Sequence, residues 1–148
     1  MKNYLIKTKR FLHILSVIPI MIFTETILSS CTDDQLEIQR NFPFEVSVMP
    51  VAKDIAKDET VEIRVTIQPS GNFSDTQYYL RYFQFEGSGT LKYFAEAPYL
   101  PNDMYALSQK EFRLYYTSTS IVSQNFKIWI IDNFGNEKEI EFQFNNKD

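Results

Sequence analysis

Short runs of alternating apolar and polar residues recur along most of the chain. In the clearest run, residues 61–67, every second residue is a valine or an isoleucine, and the residues between them are polar. Alternation of this kind places the apolar side chains on one face of a β-strand and the polar side chains on the other. No segment of useful length has a helical period, so the pattern predicts an all-β domain. Similar runs predict strands at residues 44–48, 90–94, 111–117, 126–131 and 140–144.

Residues 77–85 differ from these runs because they are apolar on both faces. A strand of this composition is typical of the centre of a sheet that is covered on both sides. The glycines that follow predict a turn joining this strand to residues 90–94 in a hairpin. Residues 96–109, with two prolines, predict a stretch without strands, and residues 52–59 fit either one helical turn or a polar loop.

Seven short strands within about 100 residues are typical of a β-sandwich, and the simplest such fold is immunoglobulin-like. The chain lacks the cysteine pair of antibody domains, so apolar packing must hold the two sheets together. Burial of each large apolar side chain stabilises the fold by roughly 1.5–3 kcal/mol. The predicted core consists of Phe42, Phe44, Val46, Val61, Ile63, Val65, Ile67, Leu80, Tyr82, Leu114, Tyr116, Ile128 and Ile130.

The first 31 residues have the features of a bacterial lipoprotein signal peptide. Four cations lie within residues 1–10, and the mostly apolar residues 11–23 follow. Thirteen residues form a helix of about 20 Å, which is too short for the roughly 30 Å core of a bilayer, so this segment predicts a signal-peptide core. The motif after it, Leu28-Ser29-Ser30-Cys31, resembles a lipobox. In a lipobox, a signal peptidase recognises the first three residues, and the cysteine receives the lipid.

Two alternatives to this interpretation stay open. Cys31 can be incidental in a secreted or membrane-tethered protein, and the acid at Glu25 leaves the alternative that residues 11–28 remain as an uncleaved anchor. The acids just after Cys31 form either a solvated linker or a signal for export to the cell surface. With cleavage after residue 30, the predicted organisation has three parts. Residues 1–30 are the signal peptide, residues 31–41 are an acidic tether, and residues 42–146 form the immunoglobulin-like sandwich.

The charge of the chain bears on its partners. The formal net charge is −4, and loss of residues 1–30 would remove four of fifteen basic residues and one of nineteen acidic residues. The mature chain would then carry −7 over 118 residues. Anionic lipid and nucleic acid repel such a domain. The charge therefore predicts a protein held off the bilayer on its tether, with no nucleic-acid partner.

Histidine and cysteine are confined to the N-terminus, at His13 and Cys31. The remainder of the chain therefore offers no His-dependent triad, no cysteine nucleophile, no zinc site and no internal disulfide. Three acids, Glu137, Glu139 and Glu141, alternate along one predicted strand and indicate a charged outer face, not a pair facing across a cleft. The sequence predicts no enzyme, no cofactor and no metal site.

Aromatic residues are the strongest candidates for a functional surface, since they make up 16% of the chain. On the strand that is apolar on both faces, the side opposite the core would carry Tyr79, Arg81 and Phe83. Trp129 lies on a corresponding outward face of its own strand. This pattern predicts an exposed platform for a protein partner or a sugar. The alternative is that residues 99–107 fold back and cover it.

Four blocks of sequence carry a family resemblance. Residues 41–51, 81–91, 99–120 and 128–136 resemble the TraQ proteins of Bacteroides-type conjugative transposons, and the most specific blocks are LPND at 100–103 and KEFRLYYTS at 110–118. The likeness extends over residues 33–144. It implies a lipoprotein with one immunoglobulin-like domain and a part in conjugal DNA transfer. The family has no assigned catalytic residues, so none is transferred to this chain.

The sequence as a whole predicts a non-enzymatic envelope lipoprotein that supports a conjugative transfer apparatus through contacts with its protein components. Lipid on Cys31 would anchor the protein, and the outer membrane is its expected location. The domain would face either the periplasm or the cell surface. The alternative is a surface lipoprotein that binds glycans through its aromatic platform. The candidate partner-binding residues are Tyr79, Arg81, Phe83, Tyr99, Asn102, Asp103 and Trp129.

Overall fold

In the computed structural model, which describes residues 39–147, the chain folds into two β-sheets packed face to face. The four-stranded sheet has the order β1-β3-β7-β5, and the five-stranded sheet has the order β2-β9-β8-β4-β6. The predicted signal peptide, the lipobox cysteine and most of the tether lie outside the described residues. The strands, in chain order, are β1 (Phe44–Val48), β2 (Asp54–Ile55), β3 (Thr60–Pro69), β4 (Tyr78–Glu86), β5 (Gly89–Tyr93), β6 (Met104–Leu107), β7 (Glu111–Ser118), β8 (Gln124–Asp132) and β9 (Glu137–Asn146).

This arrangement is an immunoglobulin-like sandwich, as the sequence predicts. Strands β1, β3, β7 and β5 take the positions of the A, B, E and D strands, and β9, β8 and β4 take those of G, F and C. Pro50 follows β1 and cannot donate a ladder hydrogen bond, and the chain crosses there to the other sheet. In that sheet β2 pairs with β9 in parallel, whereas the other pairings between the described strands are antiparallel.

The core lies between the sheets and is formed by the inward side chains of both. Burial alternates residue by residue along β3, and Ile63 at its centre lies opposite Leu114 of β7, both fully buried. Across the core, the ring of Tyr116 stacks on that of Phe126 with centroids 4.3 Å apart. Aliphatic burial and aromatic packing thus join the two sheets of this domain, whereas antibody domains also carry a disulfide between them.

The predicted core is largely confirmed, with two exceptions and several omissions. Phe42 and Val46 are only half-buried, because the edge strand β1 leaves one side of each open. Phe42 instead covers Gly71, where an added Cβ would lie 2.1 Å from its ring. The core also contains residues that the prediction omitted, namely Ile55, Tyr78, Leu91, Tyr93, Tyr99, Phe112, Phe126, Phe142 and Phe144.

The turn at residues 87–89 does not close the predicted hairpin. β4 belongs to the five-stranded sheet, whereas β5 pairs with β7 in the other sheet. Gly87 has a φ of 72°, in the left-handed region, and a Cβ on Gly89 would lie 2.3 Å from the hydroxyl of Tyr116. The two glycines therefore allow the chain to cross between the sheets in close contact with this buried ring.

Two short strands lie where the sequence predicts none. Met104–Leu107 forms β6 at the edge of the five-stranded sheet beside β4, and Asp54–Ile55 forms β2 beside β9. Their partners supply the backbone hydrogen bonds, although prolines and charges interrupt the local alternation. Ile55, which the polar-loop interpretation left outside the core, is fully buried.

Candidate functional site on the outer face of the five-stranded sheet

The outer face of the five-stranded sheet carries aromatic and cationic side chains on its central strands. In the register of β4 and β8, Arg81 lies opposite Trp129 and Phe83 lies opposite Lys127. Side chains that are directly opposite on one face of an antiparallel pair lie about 5 Å apart at their Cβ atoms and contact one another. This surface is termed the aromatic face and comprises Tyr79, Arg81, Phe83, Phe85 and Trp129.

The aromatic face is partly exposed: Phe85 is exposed, and its other residues are half-buried. Burial along β4 alternates between buried and partly exposed residues, so the prediction that this strand is covered on both sides is wrong. The alternative, in which residues 99–107 fold back over the face, is also wrong, because residues 104–107 pair along the edge of β4 as β6. Met104, half-exposed and opposite Arg81, extends the face by one strand.

Arg81 and Trp129 form the centre of the aromatic face. The guanidinium carbon of Arg81 lies 4.6 Å from the centroid of the Trp129 ring, which is a cation–π contact. The indole Nε1 of Trp129 donates a hydrogen bond of 2.8 Å to Glu139, and Arg81 lies 4.0 Å from Glu137. The Arg81 Nε is buried and has no hydrogen-bond partner within residues 39–147. The ring contact and the two glutamates are therefore the interactions that orient this pair of side chains.

Phe85 is the most exposed aromatic residue of this face and was not among the predicted site residues. Its side chain is 56% exposed. Its ring lies 4.9 Å from that of Phe83 and 6.4 Å from that of Trp129, and the Lys127 Nζ lies 5.7 Å from it. Phe85 continues the alternation of residues 79, 81 and 83, and that alternation is the sequence signal that could have identified it.

Lys127 forms ion pairs with two of the acidic residues beside the aromatic face. Its Nζ lies 2.6 Å from Glu139 and 3.9 Å from Glu141. The hydrogen bonds that Lys127 and Trp129 donate hold the pKa of Glu139 below its usual value, and the same bond to Glu139 raises the pKa of Lys127. The alternation predicted for these acids is confirmed, since Glu137, Glu139 and Glu141 are all exposed along β9.

Tyr99, a predicted partner-binding residue, lies in the core and away from the aromatic face. Its exposed fraction is 6%, and its ring stacks on that of Tyr105 with centroids 3.9 Å apart. The backbone N–H of Tyr99 donates to the carbonyl of Leu91 in β5. Its burial raises the pKa of its hydroxyl. The ring joins the two sheets and presents little surface to a partner.

Asn102 and Asp103 lie in a tight turn that leads into β6. The Asp103 N–H donates to the Leu100 carbonyl, and Asn102, which follows Pro101, has a φ of 67°. Proline followed by a residue with positive φ is the arrangement of a type II turn, in which asparagine is well tolerated. The Leu100 N–H also donates to the Tyr105 hydroxyl at 2.7 Å. Turn geometry thus accounts for Asn102, and Asp103 is exposed beside it.

A stacking site for a sugar requires an aromatic ring with a free face, and neighbouring side chains contact both of the main candidate rings. One face of the Trp129 ring is covered by Arg81. Phe85 is exposed, but its neighbours Phe83 and Lys127 contact its ring. The geometry of the aromatic face therefore favours a partner that packs onto several side chains at once.

The opposite sheet has a second surface feature, a groove of about 480 Å³ between its edge strands. Arg64 and Arg113 lie opposite each other on β3 and β7 along this groove, and both contact the carboxylate of Glu62. These contacts, with the Arg64 hydrogen bond as the largest influence, lower the pKa of Glu62. Met49 and Phe94 form the rims. The two cations are thus already paired within the domain.

Neither a metal site nor a membrane-spanning helix is found in the part of the chain that the structure describes. Residues 39–147 contain no group of three or more metal-ligating side chains. Within the same residues there is no helix whose length and hydropathy would allow it to cross a membrane.

Comparisons with known proteins agree on one family. Residues 13–147 match the family model described as TraQ conjugal transfer protein. No curated protein matches the chain.

Three solved structures are similar to this domain. A conjugative transposon lipoprotein from Bacteroides eggerthii is 49% identical, with coverage of 72% of this chain and 100% of that one and a TM-score of 0.67. A lipoprotein from Bacteroides thetaiotaomicron is 43% identical; the match covers 77% of this chain and 88% of that one, with a TM-score of 0.66. A conjugate transposon protein from Bacteroides vulgatus is 50% identical; the match covers 77% of this chain and 93% of that one, with a TM-score of 0.64. The chain therefore belongs to the TraQ conjugal transfer family of conjugative transposon lipoproteins.

Proposed function

We propose that this protein is a non-enzymatic envelope lipoprotein that supports the conjugal DNA-transfer apparatus through protein contacts made by its aromatic face. The observation that supports the proposal is the partly exposed cluster around Arg81 and Trp129, in which the cation–π contact and the hydrogen bond to Glu139 orient the side chains. Tryptophan, tyrosine and arginine are enriched among the residues that contribute most to binding at protein interfaces.

The rigidity of the aromatic face suits it to binding. Its residues lie on β4 and β8, the two strands at the centre of the five-stranded sheet, and not on loops. Because Arg81 and Trp129 are already ordered by each other, a partner would not have to immobilise them. Phe85 within the face and Met104 beside it, both at least half-exposed, add apolar area to the contact.

The chemistry of the domain supports contact over catalysis. Histidine and cysteine occur only within the first 31 residues. The acids next to the aromatic face, Glu139 and Glu141, lie on one strand and share Lys127 as their ion partner. Two carboxylates facing each other across a substrate would be needed for glycoside hydrolysis. Lipid on Cys31, as proposed from the lipobox, would keep the domain at the membrane where the apparatus assembles.

Conjugation in a strain that lacks the gene tests the proposal. Donor cells would be complemented with the wild-type protein, with a Phe85→Ala/Trp129→Ala double variant, or with Tyr115→Ala as a matched control on the outer face of the opposite sheet. Deletion and the double variant should each lower transfer frequency at least about tenfold, while the control restores it. Equal protein levels and a cooperative urea transition that leaves each variant folded under the assay conditions, checked in parallel, exclude unfolding as the cause.

Two results would contradict the proposal. One is a deletion that leaves transfer frequency unchanged. The other is a double variant that folds normally and restores transfer as well as the wild type, which would place the contact elsewhere on the domain. A Cys31→Ser variant tests the anchor separately, and it should abolish the incorporation of labelled fatty acid into the protein.

A further inference from the structure

The loop between β7 and β8, residues 119–123, presents two adjacent aliphatic side chains to solvent. Ile121 is 65% exposed and Val122 is 51% exposed. The other residues of the loop are one threonine and two serines, so the loop carries no charge. Single exposed aliphatic residues are common on protein surfaces, whereas contiguous exposed apolar area is found more often at sites of interaction.

This loop is held by buried polar side chains beneath it. Gln124, which is fully buried, donates from its Nε2 to the Val122 carbonyl at 2.6 Å and to the Ser120 hydroxyl at 2.7 Å. The hydroxyl of Tyr116 donates to the Gln124 Oε1 at 2.8 Å. The two aliphatic side chains are therefore displayed on an ordered loop, and a partner that receives them does not have to order it.

The loop lies at the end of the sandwich opposite to the point where the chain enters the domain. Near that point, Asn41 accepts a hydrogen bond of 2.6 Å from Asn136 in the β8–β9 turn. β8 runs from Gln124, beside the loop, to Asp132, beside the turn. At about 3.3 Å per residue, this strand separates the two ends by about 26 Å. An anchor on the preceding segment would thus attach at the end remote from Ile121 and Val122.

The charge around the loop argues against insertion into a bilayer. The segments that share this end of the sandwich are residues 56–59, residues 86–89 and the end of β9. With Lys147, which follows β9, they carry a net charge of −1 and do not form the basic collar that would favour anionic lipid. A twofold tip-to-tip pair of copies is disfavoured as well, because it would point the two anchored ends in opposite directions.

We propose that Ile121 and Val122 form a second contact surface, which inserts into an uncharged apolar pocket of a partner protein on the side of the domain away from the membrane. The inference rests on the proposed function, since the partner would be an envelope protein of the transfer apparatus. With the aromatic face on the side of the sandwich and this tip at its far end, the domain contacts the apparatus at two separate sites.

Site-specific photocrosslinking in donor cells tests the tip. A benzophenone amino acid replaces Ile121 in the full-length protein, and the matched control carries it in place of Met49, which is 56% exposed elsewhere on the domain. Mass spectrometry should identify a single protein encoded by the same conjugative element in the Ile121 adduct and not in the Met49 adduct. A lipid adduct, an adduct with a second copy of this chain, or no adduct overturns the inference.

A paired functional measurement separates this inference from the proposed function. An Ile121→Ser/Val122→Ser variant should keep the wild-type urea midpoint, because both side chains are already exposed, and should lower transfer at least about tenfold. If deletion of the gene lowers transfer but the double variant does not, the tip is not a contact and the proposed function stands. If deletion itself has no effect, the proposed function fails.

Discussion

Arg81 and Trp129 lie opposite each other on β4 and β8, and the guanidinium carbon of the first is 4.6 Å from the ring centroid of the second. The same register places Met104 on the far side of Arg81 and Glu139 on the far side of Trp129. A row of four side chains therefore crosses four neighbouring strands on the outer face. The row has an apolar end at the sheet edge and an acidic end on β9, so it would orient a partner whose own polarity matches.

The Arg81–Trp129 contact should stabilise the domain by an amount that a double-mutant cycle can measure. Arg81→Ala and Trp129→Ala, alone and together, should give a coupling free energy of about 0.5–1 kcal/mol in urea unfolding, which is the range of exposed cation–π pairs. The same cycle between Lys92 and Trp129, on opposite sheets, should give a coupling near zero. Additive effects of Arg81 and Trp129 would show that the contact does not hold the pair in solution.

The hydroxyl of Tyr116 should be important for stability because its partners are buried. It donates to Gln124 and accepts from the Gln84 Nε2 at 3.0 Å. Tyr116→Phe leaves the Gln124 carbonyl oxygen without its closest donor, and we expect a loss of about 1–3 kcal/mol in the free energy of unfolding. Tyr79→Phe, which removes a hydrogen bond to Gln77 near solvent, should cost less than about 0.5 kcal/mol. Equal losses would contradict a buried network.

Two glycines with positive φ provide a matched test of close packing. Gly87 and Gly135 have φ values of 72° and 87°, so alanine is strained at both. A Cβ on Gly87 would lie 2.4 Å from the Gln124 side chain, whereas a Cβ on Gly135 meets nothing within 4 Å. Gly135→Ala should therefore cost about 1 kcal/mol from the backbone alone, and Gly87→Ala should cost clearly more. Thermal unfolding of the two variants measures the difference.

Substitutions at Asn102 distinguish a turn residue from a binding residue. Because its φ is 67°, glycine fits the same backbone without strain, whereas alanine should destabilise the domain by about 1 kcal/mol. Asn102→Gly should therefore keep both stability and transfer activity. A variant that is stable but inactive in conjugation would show that the amide side chain contacts a partner.

Buried tyrosines should make the domain sensitive to alkali. Burial raises the pKa of Tyr82 well above its usual value near 10, because the ionised ring would lose its hydration. Above pH 10 the unfolded chain releases this proton and the folded chain retains it, so stability is complete below about pH 10 and falls as the pH rises further.

Urea unfolding at pH 9 and pH 11 measures this effect of Tyr82. The contribution is about 1.4 kcal/mol for each pH unit above the pKa of the unfolded chain. Tyr82→Phe serves as the control, since it should show a smaller loss between the two pH values than the wild type does. Identical losses would mean that other groups, such as lysines, account for the alkaline sensitivity.

Local alternation was sufficient to identify the strands that bury one face. The run from Val61 to Ile67 has a strict period of two, and each of its aliphatic residues is buried as predicted. The family could also be identified from the sequence, because the LPND block and the block at 110–118 resemble TraQ proteins, and the family model matches residues 13–147. The structure explains part of that resemblance: LPND forms the turn at Asn102 that leads into β6.

The sequence by itself determined the all-β class, the period-two core and the absence of histidine and cysteine from the domain, because each of these depends on residue types and on their local spacing. Only the tertiary structure decided that the chain crosses between sheets at Gly87, that Tyr99 is buried and that β6 lies beside β4 and leaves the aromatic face open. These features depend on pairing between strands distant in sequence, and the alternation within one strand contains no information about its neighbour.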